Sequence, residues 1–426
     1  MGPMTDNSMR AGICAPPGTL VAQLGARRHY AVPLAFHAQG KLQTFCTELL
    51  VQSPAFQSLI RRLGRLTKLS ALSRLADRQA EIELPANRVR TFPVFGLRYK
   101  WYGQQARSAE ARTANWLWGG KRFCEMCADV LDDQTTSVYA FTSAAKELFV
   151  AAKARGAACW LDHATAPRAF EVGMIQEEAG RFPGWSDRSV EDPLTDEYLG
   201  RQREELALAD SIVCGSTFAK RAIMAEGVAA HRIKVVPLGI AEHMYVSPGH
   251  RGPRAPGPLR VLYVGGDALR KGLPYLALAL KRLGSNRVEA RAAGELELSE
   301  LAHRELSPFI RLLGPVARYE VPALFRWADV LVLPSISDTF GMVILEAMAA
   351  GVPVIASENT AAPDVVRDGI DGFVVPIRDS DSIAVHLERF LEDSELLEEM
   401  SREARSRSAE FSVEHYGCRL VRALER

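Results

Sequence analysis

Short continuous apolar runs alternate along this chain with longer stretches of helical periodicity. In the first half the runs are LVAQLG (20–25), SVYAFT (137–142), ACWLDH (158–163) and SIVCGS (211–216). The second half carries RVLYVGG (260–266), IRLLGPV (310–316), DVLVLPS (329–335), PVIAS (353–357) and GFVVP (372–376). Runs of this length read as parallel strands covered on both faces, and the periodic segments between them as crossover helices. Two such series predict two doubly wound α/β domains. The stretch SPGHRGPRAPGP (247–258) has no periodicity and is rich in Pro, Gly and Arg. Residues 246–258 therefore read as a linker between a first domain, 19–245, and a second, 259–408. Ligands of such sheets bind at the carboxyl ends of the strands, here in a cleft between the two units.

The chain has 426 residues, 47% of them hydrophobic, enough for each domain to bury its own core. A net charge of +1 points to neither a nucleic acid nor a strongly acidic partner. No apolar run approaches the ~18 residues of a membrane span. Residues 1–18 lack the apolar centre of a signal peptide and read as a disordered leader. Seven scattered cysteines argue for a reducing, cytoplasmic compartment rather than a disulfide framework. Cys124 and Cys127 form a CxxC within the helical pattern RFCEMCADVL, with no second pair at zinc-ribbon spacing, and read as structural thiols.

The stretch SISDTFGMVILEAMAAGVPVIAS (335–357) carries the first chemical signal. A strand ends near Ser335 and a helix begins near Gly341. The first-turn amides of Gly341, Met342 and Val343 would face the cleft, where the helix dipole favours an anion. Glu346 is the single charge in the otherwise apolar run MVILEAMAA. Buried without a partner, its carboxylate would cost several kcal/mol. Two neighbouring hydroxyls, as on a ribose, would supply partners. The alternative is that Glu346 pairs with an arginine of the other domain or lies at the surface.

DTFGMVILEAMAAGVPVIAS resembles the E-x7-E signature region of the family 4 glycosyltransferases. Further resemblance lies in SIVCGSTFAK…GVAAHRIKVVPLGI (211–240), VLYVGGDALRKGLPYLALAL (261–280), IRLLGPVARYEVPALFRWADVLVLPS (310–335), RDGIDGFVVP (367–376) and FSVEHY (411–416). The family implies the GT-B fold, two Rossmann-like domains facing a central cleft, with residues 409–426 packing back onto the first domain. It also implies retaining transfer of a hexose-type sugar from a nucleotide-sugar donor to a hydroxyl acceptor, in polysaccharide, glycolipid or other glycoconjugate synthesis.

Position by position, the resemblance assigns Glu346 to the ribose hydroxyls and Asp338 to the donor sugar. Asp338 stands where the family usually has Glu. Phe340, Gly341, Met342 and Val343 match the loop that meets the diphosphate and sugar. Arg270 and Lys271, with Gly265 and Gly266, match the diphosphate-binding segment, although Gly266 stands where the family often has a further Arg. Gly314 and Val316 match the nucleobase site. His163 matches a histidine that faces the donor sugar, with Asp162 as a candidate to orient its ring. Gly25 is placed where the first domain's loop approaches the diphosphate or acceptor. Arg27, Arg28 and His29 form the acceptor-side cluster, with a surface charge pair as the alternative for the arginines.

The sole DxD, Asp379 to Asp381, precedes a helical pattern and reads as a cap, so no metal and no other cofactor is expected. GxGxxG is absent, which disfavours an NAD oxidoreductase. An epimerase of the same fold, or a non-catalytic donor-binding scaffold, are the alternatives. PAFQSLIRRLGRLTKLSALSRLADR (54–78) has an apolar stripe and many cations. It reads either as a helix on the inner face of an anionic membrane or as an ordinary domain helix.

Overall fold

The computed structural model describes residues 18–50, 84–186, 192–241, 257–284 and 287–425. The leader up to residue 17, the segment 54–78 and most of the linker lie outside the described residues.

The first sheet contains β1 (Gly18–Gln23), β2 (Leu42–Thr47), β3 (Val89–Thr91), β4 (Thr135–Phe141), β5 (Ala158–Asp162), β6 (Ser211–Cys214) and β7 (Ile233–Val235). The second contains β8 (Leu259–Val264), β9 (Val288–Ala293), β10 (Ile310–Gly314), β11 (Val330–Leu333), β12 (Val354–Ser357) and β13 (Gly372–Val375). Their orders are β3-β2-β1-β4-β5-β6-β7 and β10-β9-β8-β11-β12-β13. Every pairing between these strands is parallel. The two doubly wound sheets expected from the apolar runs are present.

β2, β3, β7 and β9 escaped the pattern of apolar runs. β9 reads VEARAA, with half-buried Glu289 and Arg291 alternating with buried alanines, so its apolar positions are not consecutive.

Two apolar clusters pack on each sheet, one per face, which is what strands without a polar face require. The final helix, Val413–Leu424, places Tyr416, Leu420 and Val421 in the first sheet's cluster with Val32 and Phe36 of the helix Ala31–Ala38. The chain thus ends on the half where it began. The helix Arg168–Arg181 leads to Trp185, which is buried in the second sheet's core. On the way, buried Glu178 accepts from Tyr275 (2.7 Å) and from Arg378 Nε (2.6 Å).

Cys124 and Cys127 are free, fully buried thiols inside the helix Ala109–Ala128, and burial raises the pKa of both. Asp379 caps the helix Ser380–Glu392, accepting from the Ser382 amide at 2.8 Å. No helix among the described residues is long and apolar enough to cross a membrane.

Candidate active site

The strand order reverses between β8 and β11, and the loops following those two strands meet there. Two glycines make the meeting possible. Gly272 has φ +71°, and a side chain there would collide with the Pro334 carbonyl, so only glycine lets this loop settle on the next. The Ile336 amide then donates to the Arg270 carbonyl at 2.9 Å. Gly341, at φ +72°, turns the second loop into the helix Met342–Ala349, whose Ile344, Leu345, Ala347 and Met348 are buried.

This packing brings the Lys271 ammonium into contact with the Asp338 carboxylate. Burial pushes Asp338 up, but Lys271, then Arg270 and the Phe340 amide, outweigh it and hold the carboxyl below its ordinary pKa. Arg270 is anchored elsewhere. It pairs with Asp267 (3.2 Å), donates to the Ser337 carbonyl (3.1 Å) and reaches Glu171 of the first half at 3.7 Å. The two basic residues thus divide their tasks: Arg270 fixes the loops and Lys271 presents charge beside Asp338.

Met342 and Val343 begin the helix, where amides have no acceptor within it. Glu346 lies one turn on. Burial raises its pKa, opposed by the charge of Arg318, which belongs to the same half of the chain. Gly314, at φ +70°, ends β10, with half-buried Val316 just beyond. Gly265 follows β8, its amide bonded to Ala293 (3.0 Å), with Gly266 next to it.

In the first half, His163 follows β5 and is fully buried. Its Nδ1 lies 2.6 Å from the Thr165 carbonyl, so that nitrogen carries the hydrogen and Nε2 is left as an acceptor. Nε2 is buried and has no partner. Burial brings the imidazole down to about 4, with Arg27 pushing the same way against the Thr165 bond and Asp162. Between pH 6.5 and about 4 the unfolded chain therefore binds a proton that the folded one does not. Stability should fall as pH drops through that window, by up to about 3 kcal/mol. Comparing urea unfolding of wild type and His163→Asn at pH 7 and pH 5 checks this, because the variant should lose less on acidification.

Two expectations for the first half need correction. Asp162 does not orient the His163 ring; fully buried, it takes a two-pronged bond from Arg28 (2.5 and 2.8 Å) and a bond from Tyr139 (2.6 Å). Arg28 is accordingly no acceptor-side surface residue, its side chain being 8% exposed. Gly25 leaves open space around it, and its amide donates to Glu48 at 2.9 Å. Arg27 remains half-buried near the cleft, its guanidinium 5.8 Å over the Phe141 ring. His29 lies in the turn Arg27–Tyr30, and its side chain is outside the described residues.

Beside this site a hollow of about 530 Å³ opens between the halves, lined in part by Arg112, Trp116, Arg168, Glu171, Gly266 and Arg270. Glu48, Glu171, Arg168 and Trp116 were missed from the sequence. Glu48 and Glu171 follow or sit in polar-interleaved elements, and nothing in their spacing marks them. A seam crosses the site too: Thr339 Oγ1 donates to the Ala164 carbonyl at 2.9 Å, and Ser216 Oγ donates to the Thr339 carbonyl.

Residues 251–407 match the family model described as glycosyl transferases group 1. The chain is 38% identical to D-inositol 3-phosphate glycosyltransferase of Streptomyces griseus over 27% of this chain and 24% of that protein. It is 30% identical to glycogen synthase of Mycobacterium tuberculosis over 56% of this chain and 59% of that one. The matches thus span less than two thirds of either relative. Among solved structures, Anabaena HepE in complex with UDP superposes with a TM-score of 0.60 at 16% identity, covering 96% of this chain and 98% of the other. HepE has also been solved with UDP-glucose. Over residues 251–407 the chain is similar to the group 1 glycosyl transferases, and the two sheets together have the GT-B fold.

Proposed function

We propose that this chain is a retaining hexosyltransferase, moving a sugar from a nucleotide-sugar donor to a hydroxyl acceptor in glycan or glycolipid synthesis. One observation carries the reading: Lys271 and Asp338 meet where the loops after β8 and β11 come together, beside the start of the helix Met342–Ala349, which carries Glu346 one turn in. Lys271 and the first-turn amides suit a diphosphate, and Glu346, its pKa raised by burial, suits a pair of ribose hydroxyls.

In the proposed step the bond from the anomeric carbon to the diphosphate oxygen breaks. The acceptor oxygen bonds to that carbon on the same face, and its proton passes to the leaving phosphate oxygen. Lys271 and the amides stabilise the charge gathering on the diphosphate. His163, neutral through the working range, would accept a hydrogen bond from a sugar hydroxyl at Nε2. Asp338 holds Lys271 in place until the diphosphate takes over as its counterion. With Lys271 and the amides meeting the diphosphate's charge, turnover is proposed to need no divalent metal and to persist in a chelator. The hollow beside Trp116 and Arg168 is assigned to the acceptor, and the site to the cytoplasmic side of the cell.

HepE binds UDP and UDP-glucose, so UDP-glucose is the first donor to titrate, followed by other nucleotide sugars. Glu346→Ala should weaken donor binding by about 10- to 100-fold, the loss of charge-assisted hydrogen bonds. Calorimetry reads this directly. Absence of binding by every donor, or unchanged affinity in the variant, would sink the reading. An inverted anomeric product seen by NMR would remove the stereochemical part alone.

A further inference from the structure

The helix Arg168–Arg181 turns one face to the interdomain hollow, with Arg168, Glu171, Val172, Ile175 and Ala179 at helical spacing. The two charged members of that face lack hydrogen bonds. The Glu171 side chain is 25% exposed, and its one ion pair among the described residues is with Arg270 at 3.7 Å, too long for a hydrogen bond. Burial raises its pKa, opposed first by the charge of Arg270. The Arg168 guanidinium is placed alike. It reaches Asp192 at 3.7 Å, rests 5.8 Å from the centre of the Tyr198 ring, and its Nε has no partner. Asp192 is already bonded by Thr113 at 2.5 Å. A carboxylate and a guanidinium, one turn apart and mostly withdrawn from water, are thus both left to be completed by a ligand.

The surroundings say which ligand. Thr165, two residues beyond His163, lines the same hollow, as do Gly266 and Arg270 of the loop after β8. Whatever Arg168 and Glu171 hold therefore lies beside the proposed reaction centre. Trp116, which leans on Tyr198 (6.3 Å between centroids), offers the hollow an indole that is 37% exposed. An aromatic face suits the C–H face of a sugar ring, with a few polar groups fixing its orientation. Three arginines and four acids line the hollow, a near balance that favours an uncharged ligand over an anion.

We propose that Arg168 and Glu171 are a specificity-determining pair that grips two neighbouring hydroxyls of the acceptor. One hydroxyl accepts from the guanidinium and the next donates to the carboxylate, while Trp116 covers the ring. The attacking hydroxyl is a third one, because its single proton passes to the leaving phosphate oxygen. The acceptor is accordingly a neutral sugar or cyclic polyol. This assignment rests on the transferase reading above, and the experiment separates the two by measuring donor and acceptor apart.

With UDP-glucose, or the donor that titration identifies, wild type should transfer to methyl hexosides at least about tenfold faster than to cyclohexanol, whose ring carries one hydroxyl. Glu171→Ala and Arg168→Ala should each raise the acceptor KM by about 10- to 100-fold. Glu171→Gln should raise it less, since its amide oxygen still accepts. Calorimetry should give the variants a donor affinity within about threefold of wild type, because Arg270 keeps Asp267 and the Ser337 carbonyl. An unchanged acceptor KM in both alanine variants overturns the proposal. So does equal transfer to cyclohexanol, or no transfer to any hexoside by a wild type that binds donor. A loss of donor affinity as large as the rise in acceptor KM overturns it too, since the pair would then touch the donor. A wild type that binds no donor fells the transferase reading and this assignment with it.

Discussion

Replacing Lys271 by Ala should lower kcat by about 100- to 1000-fold, the usual cost of removing one group aimed at developing charge in a closed site. Two effects add. The cation that meets the leaving diphosphate is gone, and Asp338, which it held, becomes an uncompensated carboxylate beside the same anion. Arg270 cannot take over, because Asp267, Glu171 and the Ser337 carbonyl already fix its guanidinium. Lys271→Arg should recover little, since the longer planar group has to fit a loop pressed against Pro334. Steady-state rates on the donor identified by titration provide the measurement. A Lys271→Ala enzyme within threefold of wild type would refute the assigned role.

The second large effect concerns stability. Arg28→Ala should cost about 3–5 kcal/mol, because it leaves the fully buried Asp162 with a hydroxyl bond from Tyr139 in place of a cation. For a unit of this size that corresponds to a Tm lower by about 6–20 °C. The double variant Arg28→Met/Asp162→Leu should lie closer to wild type than Arg28→Ala does, since it removes both charges together. Scanning calorimetry of the three proteins checks the ordering. A double variant as unstable as the single one would show that packing, not the stranded charge, sets the loss.

How far the sequence could be read follows the chemistry of each element. The second half was legible because its strands other than β9 are continuous apolar runs and because Glu346 contradicts its apolar surroundings. Asp162 misled for a stereochemical reason. Successive residues at a strand end point to opposite faces, so a carboxylate beside His163 in sequence turns toward Arg28 and away from the imidazole. Arg28 itself sits at φ +48°, a backbone choice that a non-glycine residue does not announce. Glu48 was missed along with β2, whose polar positions hide the strand that carries it.

Thr339 stands next to Asp338, and both of its hydrogen bonds to the first half run through that one residue. One of the contacts that join the halves, beside Arg270–Glu171 and the bonds to Glu178, is therefore part of the loop that positions Asp338 against Lys271. Any hinge opening wide enough to release a spent nucleotide must pull on this peptide and loosen the carboxylate's aim. Under the transferase reading proposed above, departure of product and disarming of the site become a single mechanical event.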